Sequence, residues 1–216
     1  MDSRAKILAR IRQRRGRSGP GPSSAETEAV QTWLARHPRG PLPAVGPDLI
    51  GRFVQKAELA SCTARRIARI EEAPGEVARY LRETGTAVRG CVWPLLAGLD
   101  WRGAGLALEA RAAKDEDAVG VTGVFCAIAE TGTLMLCSGV ETPASVSLLP
   151  ETHIALVPAA RIVAHMEDAW DLARAELGRL PRAVNFVSGP SRTADIEQTI
   201  VLGAHGPARV HVIVMG

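Results

Sequence analysis

From Asp48 to the C-terminus, helix-period segments alternate with short β-branched runs, and this alternation constrains the fold more than any other feature. Asp48 is placed to cap a helix carrying Leu49, Phe53 and Leu59. Residues 60–67 then read as a short strand, and Pro74 opens a helix with Val77, Tyr80 and Leu81. Residues 87–96 return to a strand that Trp93-Pro94 ends, and 104–109 read as another. Residues 123–129 are apolar without clear periodicity, which fits a short helix or a buried strand equally. The runs 131–137, 144–149, 153–157, 183–187 and 209–215 are short, β-branched and bounded by Gly, Pro or Ser, and 167–177 supplies a helix before the last of them. Such an order predicts an α/β fold with a mostly parallel sheet, flanked by helices and buried on both faces. The neighbouring runs 131–137 and 144–149 predict a local antiparallel hairpin. No internal repeat is visible.

The segment before Asp48 is organised differently. Ser3 is placed to cap a helix with Ile7, Leu8 and Ile11 at helical spacing, ending before Gly16. Residues 16–22, Gly-Arg-Ser-Gly-Pro-Gly-Pro, read as a flexible linker. Ser23 and Glu26 form a capping box for a helix that Pro38 stops, and residues 39–47 are Pro/Gly-rich. The expected division is a basic helical arm and linker over 1–22, then an α/β domain over 23–216.

Charge follows the same division. The chain carries 26 Lys and Arg against 23 Asp and Glu. Seven of those cations, Arg4, Lys6, Arg10, Arg12, Arg14, Arg15 and Arg17, fall within residues 1–17 beside one anion, Asp2, so the arm is +6 and the body −3. A mildly acidic body argues against a domain that grips nucleic acid over a contiguous basic face. No apolar run approaches the ~20 residues that span a bilayer, and the basic arm lacks the apolar region of a secretory signal. A cytoplasmic protein without a membrane span is expected. Cys62, Cys91, Cys126 and Cys137 lie 29, 35 and 11 residues apart, with no CxxC pair. They are expected to be buried structural thiols, with neither a metal site nor a cluster on this chain.

Ligands of parallel α/β sheets bind beyond the carboxyl ends of strands, which directs attention to strand-exit loops. Two combine several reactive groups. Ala129-Glu130-Thr131-Gly132-Thr133 brings together a carboxylate, two hydroxyls and a glycine; Glu130 is a candidate acid, base or nucleophile, or the segment is simply a turn. Ser188-Gly189-Pro190-Ser191-Arg192-Thr193-Ala194-Asp195-Ile196-Glu197 has the hydroxyls, glycine and arginine to hold a carboxylate or phosphate, with Asp195 and Glu197 placed to orient Arg192 or accept a proton. Asp195 and Gln198 also fit a helix cap. His37, His153, His165 and His211 read as packed or solvated polar residues. His205, in Gly203-Ala204-His205-Gly206-Pro207, is the exception, because its turn could face the same cleft. No GxGxxG, GxxxxGK[ST] or GxSxG pattern is present, so dinucleotide, P-loop and hydrolase-elbow readings lose support.

Four ordered segments carry a family resemblance: Ala127-Ile128-Ala129-Glu130-Thr131-Gly132-Thr133-Leu134, Leu149-Pro150-Glu151-Thr152-His153-Ile154, residues 188–197, and Gly203-Ala204-His205-Gly206-Pro207. Together they resemble the lactate-utilisation (LUD) domain family, and the lack of a C-terminal cysteine cluster resembles its small, cluster-free branch. The resemblance implies a fold similar to the ribose-phosphate isomerase, glucosamine-phosphate deaminase and CoA-transferase group. It implies a part in oxidising L-lactate to pyruvate with iron–sulfur partner proteins, which would carry the clusters, while this chain needs no cofactor of its own. Glu130-Thr131-Gly132 is also similar to the Glu-x-Gly loop of CoA transferases. Relatives often have an arginine-containing turn where this chain has Ser138-Gly139-Val140-Glu141-Thr142-Pro143-Ala144. The expected site therefore has Glu130, Asp195 and His205 as catalytic candidates. Thr131, Gly132, Thr133, Ser188, Gly189, Ser191, Arg192, Thr193 and Glu197 are candidates for binding a small carboxylate substrate, with a homo-oligomer compatible with this picture. Two alternatives remain open. One is a stand-alone transferase or isomerase acting on a small phosphorylated or CoA-linked acid. The other is a non-catalytic docking or regulatory module that uses the basic arm.

Overall fold

The computed structural model describes residues 2–16, 21–193 and 201–216. Two compact units make up the chain, Met1–Leu42 and Pro43–Gly216. The first holds α1 (Ser3–Arg14) and α2 (Ser24–Arg36). Asp2, not Ser3, caps α1: its carboxylate accepts from the Arg4 amide at 3.1 Å. A carboxylate suits that position because it also faces the positive end of the helix dipole. The capping box of α2 forms as expected, with Ser23 N donating to Glu26 at 2.8 Å and Glu26 N to Ser23 Oγ at 3.2 Å.

In the second unit Asp48 caps α3 (Leu49–Leu59) by accepting from Gly51 N at 2.9 Å. The chain continues through β1 (Thr63–Ile67), α4 (Ala73–Thr84), β2 (Arg89–Val92), β3 (Ala107–Ala110) and β4 (Val119–Thr122). It then enters β5 (Cys126–Ile128), β6 (Thr133–Cys137), β7 (Thr152–Pro158), β8 (Ile162–Val163) and α5 (Met166–Leu177). Last come β9 (Val184–Val187), the short β10 (Arg192–Thr193) and β11 (Val201–Leu202), and β12 (Arg209–Met215).

Six strands form a parallel sheet in the order β1-β12-β7-β4-β2-β3. The central strands β4 and β7 are buried almost throughout, as is β12 between its end residues. Near-continuous apolar runs of this kind suit a sheet covered on both faces. Phe53 and Ala57 of α3, and Val77, Ala78 and Leu81 of α4, belong to the core of this sheet. A second, mixed sheet has the order β8-β5-β6-β9. Its side chains alternate between two cores, as the pleat requires: Ala127, Leu134 and Leu136 join the main core, while Cys126, Ile128 and Met135 join a smaller one with Ala169 and Ala173 of α5.

Two sequence expectations change in this unit. Residues 144–149 do not form a strand: Ala144–Ser147 is a 3-10 helix that starts after Pro143 and lies against β4, where a Cβ on Gly120 would come within 1.9 Å of the Val146 carbonyl oxygen. The hairpin with 131–137 is therefore absent, and β6 pairs antiparallel with β5 and β9 instead. The ambiguous run 123–129 contains β5. Strand β4, Val-Gly-Val-Thr, has no counterpart in the sequence reading because four residues with a central glycine give no periodic signal. Among the described residues, no helix is long and apolar enough to cross a membrane.

Candidate functional site

The two loops singled out in the sequence do not lie at the carboxyl edge of the parallel sheet. Residues 129–132 connect the antiparallel strands β5 and β6, and the segment from Ser188 follows β9, so both belong to the mixed sheet. They nevertheless meet. Thr133 Oγ1 lies 2.7 Å from both Thr131 Oγ1 and Ser188 Oγ, giving a row of three hydroxyls with the middle one buried.

The glycines of these loops approach a helix rather than a vacant space for ligand. Gly132 has φ +71°, and a Cβ there would lie 2.3 Å from the Ala57 amide nitrogen. Gly189 has φ +82°, and its Cβ would lie 2.0 Å from the Ala60 carbonyl oxygen. Only glycine permits both the left-handed backbone and the contact. Arg192 completes this packing: its guanidinium donates to the Ala60 carbonyl at 3.2 Å and to the Ser61 hydroxyl. A basic side chain on the carbonyl of Ala60, the C-cap of α3, is a favourable helix terminus.

Glu130 is half-buried, and its amide donates to the Ala164 carbonyl at 3.0 Å. Its carboxylate is one of the charges near His165. The pKa of His165 is raised first by its hydrogen bond to the Pro43 carbonyl (2.9 Å), then by Asp168 and by Glu130. Thr193 lies in β10, paired with Val201. Asp195 and Glu197, and with them the Asp195–Gln198 cap, lie outside the described residues.

Backbone hydrogen bonds then carry the connection from the second loop to the histidine turn. Ser191 N donates to the Pro207 carbonyl at 2.9 Å, and Gly203 N to the Ser191 carbonyl at 2.9 Å. Ala208 N donates to the Glu151 carbonyl at 2.8 Å, and Arg209 adds an ion pair to the Glu151 carboxylate at 2.9 Å. The four segments 127–134, 149–154, 188–193 and 203–207 thus form one hydrogen-bonded chain of contacts through space.

At its end is an open groove of about 690 Å³, lined by Arg89, Asp115, Glu116, Asp117, Glu151 and His205 among others. The first residue of β2 and the loops before β4, β7 and β12 supply these residues, so the groove lies along the amino edge of the parallel sheet. Arg89 and His205 are exposed. Asp117 is buried, accepts a bidentate contact from Arg111 at 2.7 and 2.9 Å, and has its pKa lowered to about 2, first by that hydrogen bonding. Sequence reasoning missed Arg89 and the run 115–117. The pairing that organises them, Arg111 with Asp117, bridges an irregular loop that has no periodic signature.

The other histidines of the α/β unit's parallel sheet are buried in packing roles. His153 bonds Thr122 Oγ1 at 2.8 Å, and His211 bonds Thr63 Oγ1 at 2.8 Å while stacking on Tyr80 with ring centroids 4.0 Å apart. Burial pushes both pKa values down to about 4. Burial also raises all four thiols, Cys62 to about 11 and Cys91 and Cys126 to about 12. Among the described residues, no group of three or more His, Cys, Asp or Glu is arranged to hold a metal ion.

Comparison with known proteins gives these segments a family. A model of the LUD domain matches residues 50–215. Lactate utilization protein C of Bacillus subtilis (strain 168) is 41% identical over 100 residues, covering 45% of this chain and 42% of the relative. The protein of the same name from Halalkalibacterium halodurans is 43% identical over 100 residues, covering 45% of this chain and 44% of the relative. The match therefore spans less than half the length of these curated relatives. A crystal structure of a DUF162 family protein from Deinococcus radiodurans superimposes with a TM-score of 0.61 at 26% identity, covering 81% of this chain and 100% of that one. With the domain match extending from α3 to the end of β12, the chain belongs to the LUD domain family.

Proposed function

We propose that this protein takes part in lactate utilisation as the subunit without iron–sulfur clusters in an assembly that oxidises L-lactate to pyruvate. The reading is supported by the family and by the name, Lactate utilization protein C, of relatives at 41 to 44% identity. The structural observation that carries it is the hydrogen-bonded chain joining the four segments and ending at Glu151, in the groove that His205 also lines. Of the four segments, 149–154 and 203–207 line the groove, through Leu149, Glu151 and residues 203–206, while 127–134 and 188–193 support it from behind; a groove of this kind can hold a small polar substrate.

In this reading the groove binds the carboxylate. Arg89 faces it without an ion pair among the described residues; Asp117 and Glu151 are neutralised by Arg111 and Arg209, and the remaining lining acids, Asp115 and Glu116, are exposed to solvent that screens them. His205 takes the hydroxyl proton, a role suited to an imidazole. Conversion of L-lactate to pyruvate releases two electrons and two protons in total. Iron–sulfur clusters on partner chains would supply the acceptor for those electrons. This division of labour is tested by anaerobic reconstitution with those partners and a dye acceptor. Lactate-dependent dye reduction is expected only when this chain is present together with the iron–sulfur proteins. Oxidation of lactate by this chain alone in metal-free form, or full activity of the partners without it, overturns the proposal.

A further inference from the structure

The parallel sheet has a second crevice, at its opposite edge. Strands β2 and β4 are hydrogen-bonded neighbours, with Val92 beside Val121. From β2 the chain moves outward to β3, and from β4 it moves the other way to β7. Adjacent parallel strands whose connections diverge leave a gap beyond their carboxyl ends, where open α/β sheets receive ligands. That gap is present here as a crevice of about 310 Å³. Trp93, the residue after β2, and Val124 and Phe125, just after β4, line it from the parallel sheet. Cys137 and Ser138 line it from the end of β6, and Arg179 from the turn after α5.

The lining defines a ligand chemistry unlike that of the amino-edge groove. The walls are mainly apolar and include Trp93, 2% exposed with its Nε1 donating to the Pro143 carbonyl at 3.1 Å, and Phe125, whose ring lies 4.8 Å beneath the Arg161 guanidinium. Arg179 is the one charged group among the described lining residues, and no ion pair to it forms among the described residues. Ser138 Oγ accepts from Ala183 N at 2.9 Å, which leaves its hydroxyl proton to donate. An apolar cleft with one guanidinium and one hydroxyl donor at its edge fits a single carboxylate on a compact apolar body. The volume is near the lower limit of small-molecule sites, which excludes nucleotide-sized ligands.

We infer that the crevice beyond β2 and β4 binds an aryl or branched aliphatic monocarboxylate, its body against Trp93 and Phe125 and its carboxylate on Arg179. This site is separate from the groove at His205 and does not depend on the role in lactate oxidation.

Cys137 provides a readout that needs no activity. It is half-buried and lines the crevice, whereas Cys62, Cys91 and Cys126 are buried. Alkylation of Cys137 at about pH 9, which offsets its raised pKa, can be followed by peptide mass spectrometry with phenylacetate as the probe. Saturating phenylacetate is expected to slow alkylation of Cys137 at least fivefold. Arg179→Gln is expected to raise the half-protecting concentration at least tenfold, and phenylacetamide, the uncharged isostere, should need a similarly higher concentration. Because Arg179 is exposed, the variant should melt with the parent. Unchanged alkylation at about 20 mM phenylacetate, equal protection in the variant, or equal protection by phenylacetamide would each overturn the assignment.

Discussion

Thr133 and Ser188, 55 residues apart in sequence, place their side-chain oxygens 2.7 Å from each other, and Thr133 simultaneously meets Thr131. Thr133 is 3% exposed, so its hydroxyl has no access to water as a substitute partner. The contact ties the β5–β6 turn to the segment that follows β9, and through Ser191 to the histidine turn.

Replacing Thr133 with valine keeps the volume but deprives both neighbouring hydroxyls of their shared partner. A loss of about 1–2 kcal/mol in urea unfolding is expected, against less than about 1 kcal/mol for Ser188→Ala, whose side chain is exposed. Equal small effects would mean that the buried hydroxyl is not needed.

The loop glycines should separate by what stands over them. Gly132→Ala and Gly189→Ala combine positive φ with overlap against the backbone of α3 and of Ala60, which follows it, and each should cost about 3 kcal/mol or more. Gly85 is also at positive φ (+64°), but a methyl group added there would meet nothing within 4 Å, so the same change should cost only about 1 kcal/mol. Thermal melts of the three variants decide this, and a Gly189→Ala protein as stable as Gly85→Ala would refute the packing argument.

Stability should fall on mild acidification. The folded pKa values of His153 and His211 are depressed to about 4, so below the ordinary value of 6.5 the unfolded chain takes up protons that the folded chain refuses. Their contribution is intact above about pH 6.5 and is lost as pH falls towards 4, by up to about 3 kcal/mol each. His165, whose pKa is raised, works in the opposite sense: its stabilisation is fully present below 6.5 and disappears as pH rises. Asp117, held at about 2 by Arg111, loses its contribution only below about pH 4. Denaturation midpoints between pH 7.5 and 4.5 should therefore drop, with a shallower slope in His153→Gln. A flat profile would contradict the burial of these rings.

Arg89 and His205 should behave as site residues and not as supports. Arg89→Gln and His205→Ala are expected to lower lactate-dependent turnover of the reconstituted assembly at least tenfold. Unfolding free energies should stay within about 0.5 kcal/mol of the parent, because both side chains are exposed. Loss of stability in parallel with activity would assign them a structural role.

Periodicity exposed the α/β class, because helices α3, α4 and α5 and strands β7 and β12 are long or apolar enough to carry it. It could not separate the second sheet from the first: β5 and β8 are only three and two residues long, and their pairing depends on neighbours far along the chain. The 3-10 helix at Ala144–Ser147 was hidden for a related reason, since its place is set by the missing side chain of Gly120 on another strand. At the site, the hydroxyl loops and His205 were visible as motifs, but the part played by their glycines was not. Gly132 and Gly189 look like ligand-binding glycines in sequence, and what they accommodate is the backbone of α3 and the residue that follows it. Arg89 and Arg179 gave no local signal because each acquires meaning only from the walls around it.

The alternating allegiance of β5 and β6 has a mechanical consequence. Successive residues of each strand serve different apolar clusters, so neither cluster can loosen while the other stays closed. The layer works as a shared keel: α5 and the parallel sheet should melt in one transition, and a displacement at either side of the keel must be felt by the hydroxyl row at its tip.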